Sequence, residues 1–161
     1  MRKTMLAIAI AALPFSVSVS AVEDDFYGTY TLVSSSRTIL DSGQVETFAK
    51  ERGFITYGKD GRMMVIIVRG DRPKAESIEK MTEQQRAVLH RLLTAYAGTY
   101  KFDGKTMEHH IDISWNEIWT GTTQFRDVKK DGERLIYTTH PAPNVRDGKM
   151  SVTTLVWEKL K

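Results

Sequence analysis

The 161-residue chain contains no cysteine. That absence removes disulfide cross-links, a cysteine nucleophile and the lipid-modified cysteine of a bacterial lipoprotein. Stability must therefore come from the core alone. Other absences narrow the chemistry. There is no Gly-x-Ser-x-Gly elbow, no glycine-rich phosphate loop and no zinc-type spacing of histidines, so no metal or cofactor is expected. Repeats, low-complexity tracts and linkers are missing, which points to one domain. No one-signed charge stripe exists either. The 23 basic residues are interspersed with 20 acidic ones, and nucleic acid is not an expected partner.

Only the N-terminus has a long apolar run. Arg2 and Lys3 precede Met5–Phe15, and small residues come next, ending Val19-Ser20-Ala21. The order of positive, apolar and small segments predicts a secretory signal peptide over 1–21, with cleavage after Ala21. The run is shorter than the ~20 apolar residues that span a bilayer. The expected mature protein, 22–161, is periplasmic or secreted and keeps no membrane-spanning segment.

Within 22–161 the strongest local signal is Asp-Gly, at Asp60-Gly61, Asp103-Gly104, Asp131-Gly132 and Asp147-Gly148. Asp-Gly favours tight hairpins. The first three steps lie between strand candidates and the fourth opens the last of the eight: 26–36, 53–57, 62–69, 98–102, 106–115, 118–129, 134–139 and 150–159. These predict a mainly β protein, a single antiparallel up-and-down β-barrel of about eight strands. Along 106–115, Met107, His109, Ile111, Ile113 and Trp115 alternate with polar residues, so the apolar set faces inward. Residues 63–68 are apolar on both faces and need an outer cover. Thr82 and Gln85 form a capping box, and Val88, Leu89, Leu92, Leu93 and Tyr96 recur at helical spacing until Gly98. One inserted amphipathic helix of about four turns is expected to supply that cover.

The order of several short motifs resembles the bacterial and fungal lipocalin-like domain family. They are Gly28-Thr29-Tyr30 and Leu32-Val33-Ser34; Gly53, Tyr57 and Asp60-Gly61-Arg62-Met63; Arg69, Asp71, Arg72 and Pro73; Gly98-Thr99-Tyr100; His109-His110; Gly121, Gln124 and Arg126; and Leu155-Val156-Trp157-Glu158. Tyr30 stands where the family usually has tryptophan. The resemblance implies a barrel with a cavity, Tyr30 closing one end, and structural roles for Trp157 and for Arg126, stacked on Tyr30, with ligand anchoring as the alternative for Arg126. It does not imply one chemistry, since some fungal relatives assist pericyclic or isomerisation steps.

His109 is the most informative residue, because period two points it into the barrel. It serves either as a polar handle inside a ligand cavity or as a core histidine bonded to a neighbouring strand. His110 points outward beside Asp112. Adjacent histidines on a strand diverge and cannot share a metal. The expected ligand-binding set is His109, Gln124, Trp115, Met107, Ile111 and Tyr57, with Gln124 as the expected partner of His109. Trp115 and Trp119 either rim the mouth or cap the core. Arg69, Asp71 and Arg72 are expected to order the turn into the helix. Three functions fit an apolar interior: a binding protein for a small, largely apolar ligand, a small isomerase or cyclase-type enzyme with His109 as acid or base, and an interaction or chaperone-like module with a filled barrel. Ligand identity, pathway and oligomeric state are not legible.

Overall fold

Alternating strands joined by tight turns can only fold onto their sequence neighbours, and the computed structural model, which describes residues 26–161, shows that meander. The long strands are β1 (Gly28–Ile39), β3 (Arg52–Tyr57), β4 (Arg62–Val68), β5 (Leu93–Phe102), β6 (Thr106–Ser114), β7 (Thr123–Asp131), β8 (Arg134–Thr139) and β10 (Met150–Lys159). They hydrogen-bond in chain order, and β1 pairs with β10 to close an eight-stranded antiparallel barrel. Two short strands, β2 (Val45–Thr47) and β9 (Ala142–Pro143), flank β1 and β10 and have no counterpart among the strand candidates. Asp60-Gly61 and Asp103-Gly104 turn β3 into β4 and β5 into β6, with glycine φ of 77° and 99°. The predicted signal peptide, residues 1–21, lies outside the described residues.

Three expectations are corrected. First, the helix α1 is Glu83–Arg91, nine residues and not four turns. Its capping box forms as expected, with Gln85 N donating to Thr82 Oγ1 and Thr82 N to Gln85 Oε1. The helical spacing beyond Arg91 is overridden, because 93–99 pairs residue by residue with β4, from Val68 opposite Leu93 to Arg62 opposite Thr99. Tyr96 and Gly98 thus belong to a strand. Second, α1 buries none of its own residues and leaves Met64 and Ile66 exposed, so it does not cover the outer face of β4. Third, the segment after Glu117 begins with a single 3-10 turn, Glu117–Trp119, and β7 starts only at Thr123.

The alternation on β6 holds through Ile111, which is fully buried, and then breaks: Ile113 is 67% exposed. Ala97 pairs with Ile113 but Gly98 with Ile111, so Asp112 has no opposite residue. This is a β-bulge, and it shifts the phase of the residues after it. A Cβ on Gly98 would lie 1.8 Å from the His110 carbonyl oxygen, so only glycine fits this close approach of the strands. Ile113 thereby joins Phe54, Met64 and Ile66 on an exposed apolar outer face.

The core fills one end of the barrel. Phe26, Tyr30, Tyr57, Tyr100 and Met107 are buried there, with Phe102 against Phe26 at 4.3 Å between ring centres. Tyr30 closes this end, its hydroxyl donating to the Phe26 carbonyl.

Candidate ligand cavity

The other end of the barrel stays open. Inward positions here are smaller or polar: Ser35 on β1, Thr94 on β5, Thr139 on β8, Ser151 and Thr153 on β10. They leave a cavity of about 410 Å³, inside the roughly 300–1,000 Å³ range of small-molecule pockets. Ile55, Val65, Ile67 and Leu155 give it apolar walls. Phe48, Phe125, Val145 and Arg146, half-buried or exposed, stand around the mouth. All three tryptophans of the chain, Trp115, Trp119 and Trp157, line it. Trp115 and Trp119 meet edge to face at 4.7 Å, and Trp119 meets Tyr96 in the same way at 5.8 Å.

The wall carries one ion pair. Glu51 Oε1 lies 2.6 Å from Arg69 Nε, and the Ser35 hydroxyl donates to the other carboxylate oxygen. Arg69 also donates to Thr94 Oγ1 at 2.7 Å. Burial holds the Arg69 guanidinium below its ordinary range, the Glu51 carboxylate opposes that, and Arg146 adds to it by repulsion. Sequence reasoning misses both Glu51 and this role of Arg69. Glu51 carries no sequence signal, and Arg69 reads as part of the turn before the helix. Of the trio Arg69, Asp71 and Arg72, only Arg72 caps the helix, donating to the Leu89 and Leu92 carbonyls, while Asp71 pairs with Lys50.

Of the expected ligand-binding residues, Gln124 and Trp115 are on the cavity wall. His109, Met107, Ile111 and Tyr57 are not: they are packed behind it and almost wholly buried. His109 points inward and His110 outward, as the strand phase requires. The ladder does set Gln124 opposite His109, yet the imidazole bonds elsewhere. Its Nε2 lies 2.7 Å from Tyr57 Oη, and its Nδ1 lies 3.1 Å from Tyr96 Oη. Tyr137 donates to Tyr57 at 2.9 Å, and Arg126 Nη2 donates to Tyr96 at 2.7 Å. Burial pushes the imidazole well below its usual 6.5, and Arg126 adds to that by repulsion. Burial likewise raises the Tyr57, Tyr96 and Tyr137 phenols, so all three keep their protons. Both ring nitrogens of His109 are engaged by tyrosines, and the imidazole lies behind the cavity wall.

Arg126 does not stack on Tyr30. It lies over the Tyr96 ring at 5.8 Å, while the cation over Tyr30 is Lys159, also at 5.8 Å. Arg126 sits midway along the barrel where the cavity ends, whereas Tyr30 is at the filled end, next to Tyr57. Trp157 is buried between the two regions and forms part of the wall. Tyr96 and Tyr137 both escape the sequence reading. Tyr137 has a legible signal, the alternation Leu135-Tyr137-Thr139, but Tyr96 is absorbed into the helical spacing.

Among the described residues no three acidic or histidine side chains converge as a metal site, and no helix is long and apolar enough to cross a membrane. No curated protein matches the chain. The profile of the lipocalin-like domain matches residues 27–160, nearly all of the described barrel, and the chain belongs to that family.

Proposed function

We propose that this is an exported protein that holds a small, largely apolar molecule in the open end of its barrel. The observation that carries the reading is the cavity of about 410 Å³, walled by Ile55, Val65, Ile67, Leu155 and the three tryptophans. A mostly apolar pocket with a few placed polar groups is the usual construction of a small-molecule site. Export rests on the N-terminal segment alone. Native mass spectrometry of protein purified from the periplasm tests both parts. The expected result is a chain starting at Val22 that carries a bound small molecule. A chain retaining residues 1–21 in the cytoplasm, or a protein that takes up no apolar probe, refutes the corresponding part.

A second reading, an interaction module without a small ligand, has one observation in its favour: the exposed outer face of Phe54, Met64, Ile66 and Ile113. Under it, the double variant Met64→Lys, Ile66→Thr abolishes self-association measured by sedimentation, and apolar probes leave the tryptophan emission unchanged.

A further inference from the structure

The wall of the cavity holds a buried cation with one hand free. Arg126 is 7% exposed, and an arginine side chain is a cation with N–H donors and no acceptor. Nη2 donates to Tyr96, but Nη1 has no hydrogen-bond partner, and among the described residues no carboxylate pairs with this arginine. A buried charge is strongly unfavourable unless paired, so such a group marks a place where a counter-charge is missing.

The neighbouring hydroxyl has a proton to spare. Four contacts link Tyr137, Tyr57, His109, Tyr96 and Arg126. Tyr137 donates to Tyr57. If Tyr57 then donates to Nε2 of the neutral His109, Nδ1–H goes to Tyr96, which already accepts from Arg126. The proton of Tyr96 is then left over, on a residue of the cavity wall. The opposite tautomer would strand the Tyr57 proton in the packed core, where an unmet donor is costly. The network therefore fixes the tautomer by elimination.

The surroundings agree. Arg69, Arg91, Arg126 and Arg146 lie on the cavity wall against one carboxylate, Glu51, which Arg69 and Ser35 already engage. Arg91 and Arg146 are exposed at the mouth, where they would draw an anion in. Two other wall atoms lack a hydrogen-bond partner: Trp157 Nε1, also a donor, and Glu51 Oε1, whose charge Arg69 meets. Repulsion from Arg126 on His109 and from Arg146 on Arg69 shows the same surplus of positive charge.

We propose that the ligand is an apolar molecule bearing a single carboxylate, which docks on Arg126 Nη1 and the Tyr96 hydroxyl with its apolar body among Ile55, Val65, Ile67 and Leu155. Two adjacent donors and one unit of charge match the two oxygens and single charge of a carboxylate. The inference rests on the cavity reading above and goes beyond it by naming the acid group.

The probes are decanoate and 1-decanol, which share a chain and differ in the head group. Each is titrated into the mature protein at pH 7.5, with tryptophan emission and calorimetry as readouts. Decanoate is expected to bind at least tenfold more tightly than decanol. In Arg126→Met, a change of similar volume that removes the buried charge, the ratio is expected to fall to about one. In Arg134→Met, on the outer surface and paired with Glu158, it is expected to stay as in the wild type. Should Arg126→Met fail to fold, Arg126→Lys, with one point charge in place of the planar fork, is expected to reduce the ratio at least threefold. Equal binding of the two probes by the wild type overturns the carboxylate proposal and leaves the cavity reading standing. A preference that survives unchanged in the Arg126 variant overturns it too. Absence of binding by either probe refutes the cavity reading and this proposal together.

Discussion

Tyr57 Oη lies 2.7 Å from Nε2 of His109, and both groups are shut away from water. A neutral imidazole is thereby built into the core. Its pKa in the folded state is held well below 6.5, so the unfolded chain takes up this proton first. The contribution to stability is complete above about pH 6.5 and is lost as pH falls below it, down to the folded pKa, at a slope of up to ~1.4 kcal/mol per pH unit. Urea unfolding should show the wild type about 1 kcal/mol less stable at pH 5.5 than at pH 7.5. His109→Gln should flatten that difference.

Tyr57→Phe removes the acceptor for Tyr137 and the partner of His109 in one step. The Tyr137 hydroxyl and His109 Nε2 would remain buried and unpaired, while Nδ1 keeps Tyr96. Chemical denaturation at pH 7.5 should show a loss of about 1–3 kcal/mol. A loss near zero would mean that water or a repacked side chain takes over the bonds.

Arg37, 2% exposed on β1, grips Asp147 through both terminal nitrogens and meets Glu46 at 3.2 Å. The pairing with Arg37 holds the Asp147 carboxyl below its ordinary 3.8. Stability from this contact is present above that value and is lost as pH falls below it. Asp147→Asn should lower the melting temperature at pH 7, and the gap to the wild type should narrow as pH falls below 3.8, as scanning calorimetry would show.

The bulge between β5 and β6 predicts a contrast in alanine substitutions. Ile111→Ala, at a fully buried site, should cost about 2–5 kcal/mol, whereas Ile113→Ala, two residues on, should change stability by less than about 0.5 kcal/mol. Unbroken alternation would have made the two equal. Gly98→Ala should cost about 3 kcal/mol or prevent folding, because its Cβ has no room beside the His110 carbonyl.

The barrel is legible in the sequence because its signals are local. Each Asp-Gly step sits beside alternating runs, and adjacent strands pair, so counting turns counts strands. The errors arise where a distant partner overrides a local pattern. Leu92, Leu93 and Tyr96 keep helical spacing, yet the ladder with β4 claims everything from Leu93 onward. Ile113 keeps period two, yet the bulge opposite Gly98 turns it outward. At the cavity, the inward phase of His109 can be read, but its distance from the open end cannot. That distance depends on where small side chains such as Ser35, Thr94 and Ser151 fall on strands far apart in the chain. The pairing of Glu51 with Arg69 leaves no periodic trace at all.

The seam between β1 and β10 has a consequence for timing. Every other strand of the barrel finds its partner next to it in the chain, but Tyr30 must wait for Lys159 and Ile39 for Ser151. One edge of β1 pairs with β3, but the other is matched only by β10. Until then the edges of β1 and β8 are bare templates for pairing with other chains, and closing so long a loop is slow. Without β10 the barrel would have seven long strands and a permanent gap, so the strand Met150–Lys159 decides whether the polypeptide becomes a closed vessel or a sticky sheet.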